Sequence, residues 1–204
     1  QAILDQYDIL FWADEVITGF GRTGKLFGCD TMNIRRPDQM TFAKQLSSAY
    51  FPISASIIRG DIYEAMREPS AKVGIFGHGY TYSGHATAAA AALANLDVME
   101  RETLPKRALE LEQDLASALA PLADHELVGE VRAGVGVLAA VQLSAGALEA
   151  EPGLPARLVA ACRGQGILTR ALGIGALQVS PALVLDRDEL DELRDGLSAA
   201  LDAV

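Results

Sequence analysis

Two short apolar runs near the amino terminus each close on a charged residue. Ile9-Leu10-Phe11-Trp12-Ala13 ends at Asp14-Glu15, and Met40-Thr41-Phe42-Ala43 ends at Lys44. Neither run alternates polar with apolar positions, so both read as strands covered on both faces, as in a largely parallel sheet. Strands are expected at about 8–14, 40–43 and 53–58, with Gly19-Phe20-Gly21-Arg22-Thr23-Gly24 as a loop between the first two. Gly60-Asp61 opens a short helix through Met66, broken before Pro69, and 70–84 read as loop. An alanine-rich helix is expected from His85 to about Arg101.

Thr103, as a cap, and Pro105 open the next helix, in which Leu104, Ala108, Leu111, Leu115 and Leu119 fall on one stripe before Pro121 ends it. Strands follow at about 130–143, parted by Gly134 and Gly136, then a helix at about 155–165 and short strands at 167–170 and 176–180. A last helix starts at Asp186, with Glu189 completing a capping box and Leu190, Leu193, Leu197 and Leu201 as its buried side. The pattern is α/β over 1–105 and a smaller α+β unit over 106–204.

The net charge of −10, from 27 acidic and 17 basic residues, argues against a nucleic-acid or anionic-membrane surface. Cys29 and Cys162 form neither a disulfide framework nor a metal spacing, so a reducing, cytoplasmic compartment is expected. No apolar stretch approaches the roughly twenty residues of a membrane span. The chain opens on Gln1, only a few residues before a strand that needs neighbours, and reads as the later portion of a longer polypeptide.

In parallel sheets, ligands bind beyond the carboxyl ends of the strands, which is where Asp14 and Lys44 stand. A partly desolvated lysine there can form a Schiff base with an aldehyde; the plainer reading is a solvated loop lysine. A carboxylate in such a crevice can keep a pyridine nitrogen protonated, hold Mg²⁺ or cap a helix. Thr81-Tyr82-Ser83-Gly84 precedes a helix and suits a phosphate, unless Thr81 or Ser83 simply caps that helix. His78, His85 and His125 make no metal constellation, and the Gly19–Gly24 loop lacks the Lys-Ser/Thr of a P-loop.

Three blocks carry a resemblance: Trp12-Ala-Asp-Glu-Val-Ile-Thr-Gly-Phe-Gly-Arg-Thr-Gly-Lys25, Phe42-Ala-Lys-Gln-Leu-Ser-Ser-Ala-Tyr-Phe-Pro-Ile53 and Gly77-His-Gly-Tyr-Thr-Tyr-Ser-Gly-His85. In order and spacing they resemble the class III pyridoxal-phosphate aminotransferases, among them the ω-amine:pyruvate type, over essentially the whole chain. The resemblance implies the rear part of the large domain of a fold-type I enzyme, a small carboxyl-terminal domain, and pyridoxal 5'-phosphate as cofactor.

By that resemblance Lys44 would hold the cofactor as an internal aldimine and shuttle the substrate proton. Asp14 would pair with the pyridinium nitrogen, and Val16 would pack on the ring. Thr81 would reach the cofactor phosphate of the partner in a homodimer. Gly164-Gln-Gly-Ile-Leu-Thr-Arg-Ala-Leu-Gly173 resembles the segment with the family's mobile arginine, which falls on Arg170 and would bind a substrate carboxylate.

Ala86 and Ala171 stand where the family commonly has proline, and Gln45 where glycine is common. The family's Gly-Ser-rich phosphate loop and ring-stacking aromatic are not found in the chain. The implied activity is transfer of an amino group from an amine or ω-amino acid to a keto acid such as pyruvate. The alternatives are an aminomutase, racemase or decarboxylase on the same fold, or a non-catalytic remnant that binds no cofactor.

Overall fold

The computed structural model describes residues 1–204. The chain divides into two compact units, Gln1–Thr103 and Leu104–Val204.

The first unit begins with a short helix α1 (Ala2–Gln6), followed by strand β1 (Trp12–Asp14) and a one-turn helix α2 (Gly28–Thr31). Strand β2 (Gln39–Phe42), a 3-10 turn at Lys44–Leu46 and strand β3 (Ala55–Ile58) come next, and helices α3 (Gly60–Val73) and α4 (Ala86–Arg101) complete the unit. The sheet order is β1-β2-β3. Strands β1 and β2 are parallel with Asp14 opposite Thr41, whereas β3 runs antiparallel to β2, so this sheet is mixed.

Its core gathers Ala13, Cys29 and Met40 on one face, with Phe11, Phe27, Ile34 and Phe42 packed against them. Cover on both faces is not observed: Trp12 is 60% exposed, and Ile9, Leu10 and Ile57 are also exposed. The strand expected at 8–14 is correspondingly shortened to Trp12–Asp14.

Asp38 pins the amino end of this sheet. Its carboxylate accepts from the Phe11 amide (2.6 Å) and pairs with Arg59, while its carbonyl accepts from the Arg59 amide (2.9 Å). The residues entering β1 and leaving β3 are thereby both tied to β2.

Helix α3 does not stop before Pro69 but runs through it to Val73, where Gly74 caps it in the left-handed region (φ 93°). Proline removes one helical donor. No residue of α3 is buried, so the carbonyl released is open to water, and the pairs Glu64–Arg67 and Glu68–Lys72 support the turns on either side.

The second unit opens with α5 (Leu104–Leu119), whose predicted stripe is buried in full. Thr103 is not its extended cap: its backbone is left-handed (φ 50°) and its amide bonds back to Glu100. Strands β4 (Val128–Val135) and β5 (Leu138–Leu143) form a hairpin, joined on its far side by β6 (Ala176–Val179) to give a fully antiparallel sheet.

Helices α6 (Ala145–Ala150) and α7 (Leu154–Gly164) lie between β5 and β6, and α8 (Arg187–Asp202) ends the unit. The capping box at Asp186 and Glu189 forms as predicted. Leu190, Leu197 and Leu201 of its stripe are buried, with Leu193 only partly so.

The strand predicted at 167–170 does not form beyond a single bridge from Ala171 to Leu177. The Thr169 hydroxyl donates to the Gln178 carbonyl (2.6 Å), taking the acceptor that a neighbouring strand would otherwise use.

Leu115 is 1% exposed at the centre of the α5 stripe. Leu115→Ala should lower stability by about 2–5 kcal/mol. A shift in the denaturant midpoint with an unchanged slope would register this, and a negligible shift would mean that α5 does not anchor the unit.

Candidate active site

The carboxyl-end edge of the β1–β2 pair carries three of the five predicted site residues. Asp14 is the last residue of β1, Val16 lies two beyond it, and Lys44 lies two beyond the end of β2. With strands about 4.8 Å apart and about 3.3 Å per residue along them, the pairing of Asp14 with Thr41 sets Asp14 and Lys44 within about 11 Å of each other.

Asp14 is exposed, and its Oδ1 accepts from the Val16 amide (3.0 Å). This turn, two residues long, fixes the carboxyl rotamer and leaves Oδ2 outside the bond. Asp14 therefore caps no helix.

The next residue does the opposite. Glu15 is 3% exposed and turns inward, where its carboxylate accepts from the amides of Gly28 (2.8 Å) and Cys29 (2.7 Å) and from the Thr18 hydroxyl. Its backbone amide donates to the Thr41 carbonyl (2.8 Å), carrying the β1–β2 pairing one residue past the strand.

The space around this carboxylate admits no extra atoms. A Cβ at Gly19 would lie 2.7 Å from the Glu15 carbonyl, and one at Gly28 would lie 2.9 Å from the Thr18 Cβ. Phe20, itself left-handed (φ 59°), packs edge-on against Phe27 and Phe42 at 5.5 and 5.4 Å, closing the glycine loop over the sheet. That loop is thus a packing device.

Burial works against ionisation of Glu15, but the hydrogen bonds from Thr18, Cys29 and Gly28 outweigh it and hold the carboxyl below its ordinary value. Burial, followed by the hydrogen bond and charge of Glu15, pushes the Cys29 thiol up to about 12.

Lys44 is exposed, and its own backbone is left-handed (φ 43°), as are those of Ser48 (φ 48°) and Ala49 (φ 62°). Such positions cost about 1–3 kcal/mol each when occupied by residues other than glycine. The turn is held from two sides. Asn95 of α4 donates to the carbonyls of Gln45 (2.7 Å) and Leu46 (3.3 Å), and the Ser47 hydroxyl donates to the Phe51 carbonyl (2.6 Å). The left-handed residue is Lys44 rather than Gln45, which explains why position 45 does without glycine.

Thr81 is exposed in the turn before α4. It does not cap the helix: His85 does, through Nδ1 accepting from the Ala88 amide (3.3 Å), while the Ser83 hydroxyl accepts from the Tyr80 amide (3.0 Å). The fifth residue, Arg170, belongs to the second unit, where it is exposed and donates from Nε to Gln178 Oε1 (2.7 Å).

Glu15, Asn95 and Gln178 were not singled out from sequence. A polar residue in the middle of the alanine-rich α4 was a legible signal for Asn95, while Glu15 was hidden by its adjacency to Asp14. No group of three or more His, Cys, Asp or Glu side chains could hold a metal ion.

This geometry meets a clear likeness to known proteins. The model of the class-III aminotransferases matches residues 1–201. The chain belongs to that family. An uncharacterized aminotransferase of Sinorhizobium fredii is 44% identical over 200 residues, covering 95% of this chain and 42% of the relative. The diaminobutyrate–2-oxoglutarate transaminase of Halomonas elongata is 42% identical, with the same coverage.

The solved structure of the ω-transaminase of Pseudomonas jessenii in complex with PMP superimposes with a TM-score of 0.90 at 40% identity, covering all of this chain and 45% of that one. The fold is therefore that of the fold-type I transaminases, enzymes that use pyridoxal 5'-phosphate, and the chain spans less than half the length of these relatives. The donor set fits that cofactor: a carboxylate with one oxygen outside its local turn and an amine share one sheet edge.

Glu15→Gln should destabilise the first unit by about 1–3 kcal/mol, because an amide cannot accept at both ends and a buried N–H loses its partner. The pH dependence has two limbs. Glu15 has a lowered value in the folded state, so its contribution is present above the ordinary carboxyl range and lost as pH falls through the lowered one. Cys29 is raised from 9.0 to about 12, so stability should fall as pH climbs between those values, the unfolded thiol ionising first. Denaturation midpoints against pH should show both limbs, Glu15→Gln flattening the acid one and Cys29→Ala the alkaline one.

Proposed function

We propose that this chain is the carboxyl-terminal half of a transaminase that moves an amino group from an amine or ω-amino acid to a keto acid such as pyruvate. The observation that carries this reading is the parallel pairing of β1 with β2, which brings Asp14 and Lys44 to one edge. Relatives named as γ-aminobutyrate and diaminobutyrate transaminases support an amino group remote from a carboxylate. Their greater length supports a phosphate loop and a ring-stacking aromatic supplied from outside residues 1–204.

When bound, pyridoxal 5'-phosphate supplies an electron-withdrawing ring that stabilises negative charge on the substrate carbon. The chain's residues supply the rest. Asp14 Oδ2 would hold the proton on the ring nitrogen, its rotamer kept by the Val16 amide, and the Val16 side chain would pack against the ring. Lys44 Nζ would anchor the cofactor and, once the incoming substrate amine has displaced it, the freed amine would accept the proton from the substrate carbon. Thr81 offers its hydroxyl to the cofactor phosphate of the partner chain in a homodimer, and Arg170 receives the substrate carboxylate through its guanidinium.

The cofactor-loaded protein should show a visible absorbance band that an amine donor bleaches and a keto acid restores. A band that amines do not bleach would indicate a different reaction on this fold, and no band at all would indicate a remnant. Lys44→Ala should remove both the band and any borohydride-reducible adduct; an adduct that survives would mean another lysine holds the cofactor. Arg170→Ala should raise KM for pyruvate by about tenfold or more, the loss of a charge-assisted bidentate pair, while sparing uncharged amines. Equal losses for both would remove Arg170 from carboxylate recognition.

A further inference from the structure

A guanidinium presents two edges able to grip a carboxylate with two parallel bonds, the end-on Nη1/Nη2 edge and the side-on edge that includes Nε. In this chain Nε of Arg170 already donates to Gln178 Oε1 (2.7 Å). We propose that Gln178 is a positioning residue that occupies the side-on edge of Arg170 and leaves the end-on edge for the substrate carboxylate. This rests on the reading of Arg170 as the carboxylate receptor.

Four observations build the arrangement. Gln178 is the half-buried residue of β6, between buried Leu177 and Val179, so its side chain takes the accessible face of that strand. Its Nε2 donates to the Ser180 hydroxyl (3.0 Å), which turns the amide so that the oxygen, not the NH2 group, meets the guanidinium.

The backbones are tied as well: the Gln178 amide donates to the Arg170 carbonyl (3.1 Å), and the Thr169 hydroxyl donates to the Gln178 carbonyl. Finally, Arg170 and Gln178 line the same cleft of about 620 Å3, together with Arg163, Thr169 and Glu189. Relay and cleft lie within one unit.

The chemistry of the acceptor matters. A neutral amide oxygen orients the arginine without cancelling its charge and holds it less tightly than a carboxylate would. The Arg170 charge is thus left unopposed for an acidic substrate, and the side chain is free to leave when the substrate carries no charge. A glutamate at this position would neutralise Arg170 in place and compete with the substrate for it.

The test uses the holoenzyme with three variants, Gln178→Glu, Gln178→Met and Arg170→Ala. Two readouts are taken: KM and kcat for pyruvate against an uncharged aldehyde acceptor, and calorimetric binding of propanoate, which cannot react. Gln178→Glu should raise KM for pyruvate and Kd for propanoate by about tenfold, with kcat at saturating pyruvate and KM for the aldehyde within about twofold of the parent. Gln178→Met should shift the same two carboxylate constants by a smaller factor.

If Arg170→Ala weakens carboxylate binding but both Gln178 variants leave it unchanged, the positioning role is overturned and the arginine reading stands. If Arg170→Ala leaves propanoate binding intact, both fall. An equal rise in KM for aldehyde and pyruvate in the Gln178 variants, at unchanged melting temperature, would also overturn the proposal.

Discussion

A single buried carboxylate sets the conditions for the rest of the first unit. Glu15 follows the strand that ends in Asp14, and its inward turn fastens the strand end to the amides of Gly28 and Cys29, the first residues of α2. A negative group at these donors satisfies N–H groups that no helical carbonyl can reach. The result is a rigid floor. With Glu15 held inward, the alternation of a strand turns Asp14 outward, and the glycine loop follows because Gly19 and Gly28 are the sites where a side chain would strike the Glu15 carbonyl or Thr18. The thiol of Cys29, pushed far above neutrality beside this carboxylate, is a packing atom rather than a nucleophile.

The other side of the edge is stabilised by different means. Around Lys44 there is no buried ion, only a tight turn whose carbonyls are collected by the amide of Asn95 from a helix fifty residues away. Asp14 is therefore steadied by its own neighbours along the chain and Lys44 by distant ones. Two independent supports thus hold two groups at one edge of the sheet. In the second unit, hydrogen bonds to β6 orient Arg170 in a similar local way.

Much of this was legible in the linear order of residues. Apolar runs closed by a charge gave β1 and β2, and leucines at intervals of three and four gave α5 and α8, because periodic burial is written directly into side-chain type. Asp186 and Glu189 announced their capping box for the same reason.

What failed was decided by each residue's surroundings rather than by its type. Pro69 reads as a helix breaker, yet α3 is exposed and the carbonyl that Pro69 frees is open to solvent. The segment 167–170 has strand character, but a threonine hydroxyl takes the place of the ladder. Thr103 carries the right side chain for a cap on the wrong backbone. Of the candidate site, the strand-end positions of Asp14 and Lys44 were legible, whereas the residues that steady them are ordinary polar side chains whose meaning appears only with the fold.

The strain at Lys44 has a consequence for how this sequence can drift. At Ser48 and Ala49 a glycine would relax the backbone at little expense, so these positions are open to replacement by neutral change. Lys44 has no such exit. The relief that glycine would bring there deletes the amine itself, so the torsional burden and the candidate anchoring amine are inherited together.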